Sequence, residues 1–262
     1  GYDYRFVAKG YDRRYTGSAA EQEILREEGL EKGTLTLRDA DVQFWRAIYD
    51  EKINRADERF RRFLVAFAEM ELMDRTLFVI TSDHGTELFE HHRIDHGYSL
   101  YNELIRVPLF IRLPGQQSRG NIAERVSSID LMPTILHLLD VPIDTTVKQK
   151  LRGQSLVPIM RGERYIQEII SETDYREYTY KRSIITPAGW KLIYTLESKQ
   201  RELFDLNTDP HERDNQASVN TVRADELERR LFAHFVHIGH DLMARQWNIG
   251  LNPVYSSQAP RK

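Results

Sequence analysis

Asp83 and His84 stand side by side at the end of a short apolar run, Leu77-Phe-Val-Ile80, and a second His-Gly pair, His96-Gly97, follows at loop distance. A carboxylate beside an imidazole offers a hard and a borderline donor, a combination suited to a divalent cation. In α/β proteins the carboxyl end of a buried strand faces the crevice where ligands bind, so both side chains are expected on one rim. Taken alone, Asp83-His84-Gly85 reads as a turn in which Asp83 caps the next segment and His84 is solvated, and His96 as a polar loop residue.

Further histidines crowd the same loop. His91 and His92 are adjacent, and neighbouring side chains on a loop point in different directions. At most one of the pair is therefore expected to reach the site, and His92 is the candidate because it is the nearer in sequence to His96. Glu87 reads as a surface residue or an outer support of the ligands. His234, His237 and His240, three apart near the chain's end, read as a solvated helix face.

The elements that must position these groups show in the periodicity. Glu21 to Glu31 reads as a charged helical piece. From Asp39, Trp45, Ile48, Tyr49, Ile53, Ala56, Phe60, Phe63, Leu64 and Phe67 recur at helical spacing, giving one long amphipathic helix. Thr76 to Thr81 is a continuous apolar run, the composition of a strand covered on both faces as in parallel sheets. A helix feeding such a strand is α/β architecture. A short helix over Leu100 to Leu104 and strands over Val107 to Leu113 and Val126 to Ile129 are expected next. A helix capped by Asp130, with Pro133 in its first turn, then runs to Val141-Pro142. Beyond Tyr165 the pattern changes to short strands over 168–172, 182–186, 190–196 and 202–206, an antiparallel sheet. A helix from Thr221 to Arg245 follows, striped by Ala224, Leu227, Leu231, Phe235, Ile238 and Leu242.

Composition narrows the classes. With 262 residues, 40% hydrophobic and 29% charged, the chain can bury a core. Forty acidic against 37 basic side chains give a net charge of −3, which lacks the basic field that nucleic-acid binding needs. No apolar run approaches the roughly 18 residues of a membrane span, and Gly1-Tyr-Asp-Tyr-Arg-Phe has no signal-like apolar region. The absence of cysteine excludes disulfides, thiolate ligands and thiol nucleophiles, and the compartment stays open.

Several segments in order resemble one known family. Tyr49-Asp-Glu-Lys-Ile53, Asp74 to Gly85, Glu90-His91, His96 to Tyr101 and Ile105-Arg-Val-Pro-Leu109 resemble the second half of the sulfatases, in the alkaline-phosphatase-like superfamily. So do Ser128-Ile-Asp-Leu-Met-Pro-Thr134, Gly153-Gln-Ser-Leu156, Trp190-Lys-Leu-Ile193 and Glu202 to Glu212. The resemblance implies part of a mixed, mostly parallel sheet flanked by helices over residues 1–162, a small C-terminal antiparallel sheet with one helix over 163–250, and a tail over 251–262. It implies that Asp83 and His84 ligate a divalent cation, calcium first. Many sulfatases carry Asn at the second position, and a His there suits zinc or manganese better. It places His96 where many members have a sulfate-contacting Lys, so that it would bind substrate and protonate the leaving oxygen, with His92 as a second substrate contact. The implied substrate is a sulfated small molecule or glycan.

The family's nucleophile, a Cys or Ser before x-Pro-x-Arg, is not found in these residues, nor are its other metal carboxylates, its active-site Lys or its His-x-Pro segment. The chain is therefore expected to be the C-terminal half of such an enzyme, to need the N-terminal half, and to be inactive alone. An exposed apolar sheet edge is then expected to favour aggregation or a homodimer. Two other readings stay open. One is a phosphoester or phosphonate hydrolase, or a phosphoethanolamine-type transferase, of the same superfamily. The other is a non-catalytic remnant that acts as an interaction module.

Overall fold

A computed structural model describes residues 1–116, 119–175, 179–240 and 242. Two compact units divide the chain, Gly1–Ser118 and Arg119–Lys262.

The first unit begins with α1 (Ala19–Lys32), closed at its start by a capping box in which the Ser18 hydroxyl accepts from the Glu21 N–H and the Glu21 carboxylate accepts from the Ser18 N–H. The long helix α2 (Asp39–Glu69) matches its expected span. Its first half buries Phe44, Trp45 and Ile48 against Leu25, Leu35 and Ile94. Farther along, Phe60 and Phe63 of the same stripe are 36% and 48% exposed. A 3-10 turn leads into β1 (Phe78–Thr81). The hairpin strands β2 (Glu87–Leu88) and β3 (Ile94–Asp95), helix α3 (Asn102–Ile105) and β4 (Leu109–Arg112) follow.

Parallel pairing is not what the described strands show. β1 pairs antiparallel with β4, Phe78 opposite Arg112 and Thr81 opposite Leu109, in a sheet of two strands. Nor is β1 covered on both faces: its residues are half-buried to exposed, and Phe110 of β4 is 64% exposed. An apolar run specifies a strand that prefers cover, but does not specify which neighbour supplies it.

In the second unit the expected strand over Val126–Ile129 is absent. Ser127 and Asp130 form a reciprocal capping box around a 3-10 turn, Ser128–Asp130. These side-chain bonds to local backbone compete with a strand ladder. Asp130 is buried and accepts from the Tyr165 hydroxyl at 2.7 Å and the Gln154 N–H at 2.8 Å, just ahead of α4 (Leu131–Leu138). Short helices α5 (Thr145–Lys150) and α6 (Val157–Met160) lead to an antiparallel meander, β5 (Ile169–Tyr175), β6 (Thr179–Ile185), β7 (Trp190–Thr195) and β8 (Gln200–Asp205). Helix α7 (Thr221–His237) lays Ala224, Leu227, Leu231 and Phe235 on Ile184, Leu192 and Leu203. The helix expected to run to Arg245 ends at His237, where a turn with Gly239 at φ 87° breaks the helical path, and the tail 251–262 lies outside the described residues. No helix among the described residues is long and apolar enough to cross a membrane.

Candidate functional site

Asp83 and His84 occupy the turn that leaves β1. The Asp83 carboxylate is exposed and accepts the His84 N–H at 2.9 Å, a bond that holds its pKa below the usual carboxylate range. His84 Nδ1 lies 2.8 Å from the Gly85 carbonyl oxygen. A carbonyl only accepts, so that nitrogen carries the proton and a neutral ring keeps its lone pair on Nε2. His84 Nε2 stands 3.7 Å from Asp83 Oδ2. Two donors at that separation can both touch one cation at ordinary bond lengths of about 2.0–2.5 Å. This carboxylate–imidazole pair therefore fits part of a divalent-metal coordination shell.

His96 meets the pair from the other arm of the loop. Its ring stacks on that of His84, centroids 3.9 Å apart and planes 24° from parallel. The turn is seated by Gly85, whose N–H donates to the Leu104 carbonyl at 2.8 Å. Asp83, His84 and His96 are thus brought together on one rim.

His92 is placed differently. It is exposed at the hairpin tip with φ 61°, its ring edge-on to Phe89 at 5.2 Å and its carbonyl accepting from the Leu35 N–H. His91 turns inward, stacked on Tyr101 at 3.6 Å, with Nδ1 2.5 Å from Glu103. His234, His237 and His240 form no metal-binding group with other His or acidic residues among those described.

Of the two readings of Glu87, the surface one is corrected, because its side chain is fully buried. Glu87 Oε1 accepts from the N–H groups of His91 and Arg93 at 2.9 and 3.0 Å, and Oε2 from the Tyr98 hydroxyl at 3.4 Å. Glu87, His91 and Glu103 bring one ligand atom each within 4.8 Å of one another, a cluster that no periodic pattern in the sequence signals. The Glu87 oxygens already receive three protein donors, so the cluster works as an internal brace of the hairpin.

Burial first, and Glu103 next, push the Glu87 carboxyl up to about 7 from 4.5. A raised folded-state pKa gives stability that is full below the unfolded value and lost as pH rises through the folded one. Stability is therefore expected to fall between about pH 4.5 and about pH 7, by about 3 kcal/mol in total from this group. Glu87→Gln keeps an acceptor for both N–H groups and should flatten that segment. Denaturant midpoints measured at both ends of the range check this, and equal slopes in both proteins would refute it.

Comparison with known proteins places these features in context. The profile of the sulfatase family matches residues 5–141, and that of N-sulphoglucosamine sulphohydrolase, C-terminal, matches residues 90–238. Arylsulfatase K of Bos taurus is 28% identical over 202 residues, which is 73% of this chain and 36% of the relative. The solved structure of a 2-O GAG sulfatase superposes with TM-score 0.68 at 23% identity, over 81% of this chain and 46% of that one. The phosphonate monoester hydrolase of Silicibacter pomeroyi does so with TM-score 0.66 at 21% identity, over 87% and 53%. The two structural likenesses show a shared, alkaline-phosphatase-like fold. The chain spans little more than a third of the length of the curated relatives it matches.

Proposed function

The chain belongs to the sulfatase family, and from that premise we propose that it forms the metal-binding part of a sulfuric ester hydrolase acting on a sulfated small molecule or glycan. Residues 1–162 then belong to the catalytic α/β domain, whose mixed sheet further strands complete, and 163–250 to a small C-terminal subdomain. Asp83 and His84 hold the divalent cation, calcium by family resemblance, although the imidazole also suits zinc or manganese. His96 faces the sulfate and the leaving oxygen, and His92 at the hairpin tip is a second substrate contact. The observation that carries this reading is the stacking of His84 on His96 beside Asp83, which sets metal donors and a proton-bearing ring on one rim.

Sulfate esters react through loose transition states, with charge gathering on the leaving oxygen, so catalysis is mainly positioning and electrostatic stabilisation. A bound cation supplies that stabilisation; His96 donates a proton at its outward ring nitrogen. The residues present contain no Cys and no Ser before x-Pro-x-Arg, which supports a nucleophile contributed from outside them and an inactive isolated chain. Calorimetric titration of the full-length protein with calcium, zinc and manganese tests the metal reading. Asp83→Asn should lower affinity at least about tenfold, and unchanged affinity would sink it.

A second reading, phosphonate or phosphoester hydrolysis, is favoured by histidine at both 84 and 96 and by the fold shared with a phosphonate monoester hydrolase. Turnover of an aryl phosphonate well above that of the matching aryl sulfate would select it.

A further inference from the structure

His96, on which the reading above depends, is tethered from its inner side. Asp95 Oδ1 lies 2.6 Å from His96 Nδ1, and Asp95 Oδ2 accepts from Arg26 at 3.0 Å. The two side chains of that ion pair are only 7% and 8% exposed, and they join α1 to β3 across 69 positions of sequence. Arg26 is paired in turn with Glu23 one helical turn back. The Asp95 backbone sits at φ 83°, in a region that non-glycine residues hold only where their surroundings over-determine it. The surroundings do so here, since the Tyr98 hydroxyl, which shares its one proton between Glu87 and the Asp95 carbonyl at 3.3 Å, holds the backbone while Arg26 grips the side chain.

A half-exposed histidine on a loop ordinarily rotates and exchanges its ring proton between nitrogens. A carboxylate beside it limits this only if the carboxylate is itself fixed. Burial and the guanidinium fix Asp95. We infer that Arg26 and Asp95 are positioning residues for His96: Asp95 holds the Nδ1–H, Arg26 holds Asp95, and Nε2 is the ring atom turned to the substrate, so that a second proton taken up there is the one handed to the leaving oxygen. The inference rests on the reading of His96 as substrate-facing, and it adds two residues that do not touch the substrate.

Nitrogen-15 NMR of the histidine-labelled chain tests the orientation without any turnover. The neutral His96 ring should show the Nδ1–H pattern in the wild type. Asp95→Asn should change it to a mixed or Nε2–H pattern, Arg26→Gln should do so more weakly, and Arg26→Lys should retain the wild-type pattern. Arg26→Gln keeps the test decisive if Asp95→Asn fails to fold. An Nε2–H wild-type ring, or a pattern unchanged in every foldable variant, overturns the relay. In the full-length enzyme Asp95→Asn should lower kcat about 10–100-fold with KM nearly unchanged; a loss confined to KM overturns the positioning role. Should the NMR pattern shift as expected while His96→Ala keeps full turnover, the substrate-facing reading of His96 fails and the tether itself stands.

Discussion

Lys191→Met or Glu212→Gln is expected to destabilise the second unit by about 3–5 kcal/mol, the typical cost of breaking a buried ion pair from one side. Lys191 Nζ lies 2.5 Å from Glu212 Oε1, and both side chains are wholly buried. Either single change takes from the other buried charge the counter-ion 2.5 Å away, and its desolvation then works against the fold. Lys191 sits on β7 opposite Phe204 of β8, so the pair ties the sheet to the turn after β8, where Glu212 holds φ 54°. Replacing both partners by apolar residues of similar size, Lys191→Met with Glu212→Leu, should recover most of the loss, because neither charge of the pair then remains to be buried. Urea unfolding followed by circular dichroism measures all three. Single variants within about 1 kcal/mol of wild type would mean that the pair is far better hydrated than its burial indicates.

Gly85→Ala is expected to damage stability and metal affinity together. A Cβ at Gly85 would overlap the Glu103 carbonyl oxygen and lie 2.9 Å from its carbon and 3.3 Å from Leu104 Cα. These are backbone atoms, which cannot swing aside as a flexible side-chain end can. The turn must therefore lift away from α3, losing the Gly85 N–H bond to Leu104 and carrying Asp83 and His84 with it. Overpacking of this kind costs about 1–3 kcal/mol, and the displaced donors should weaken cation binding at least about tenfold. Thermal melting and cation titration of the same variant read the two effects. Gly153 is under the same constraint, since a Cβ there would overlap the Ile129 carbonyl, so Gly153→Ala provides a stability loss of similar origin away from the metal donors. A Gly85→Ala protein with native melting and native affinity would show that the turn is not seated as described.

Much of this was legible in the sequence for local reasons. The charged piece Glu21–Glu31, the long stripe beginning at Trp45 and the short strands beyond Tyr165 are patterns within single elements, and the elements appear where those patterns lie. Asp83 and His84 were legible because they are adjacent at a strand end, and His96 because it opens a second His-Gly turn. Glu87 was not legible, since a charged residue in a polar loop gives no sign that two backbone N–H groups and a tyrosine will bury it. The segment Val126–Ile129 has strand composition, but the Ser127–Asp130 box competes locally and prevails.

The sequence by itself determined the long helices and most of the strands, the chemical character of the rim and, through ordered motifs, the family. Short-range hydrogen bonding, side-chain period and residue type carry those properties along the chain. Tertiary structure alone decided that β1 meets β4 antiparallel, that Arg26 reaches Asp95 across 69 positions, and that the rings of His84 and His96 stack. Each is a contact between segments whose approach depends on how the whole unit packs, so no local pattern encodes it.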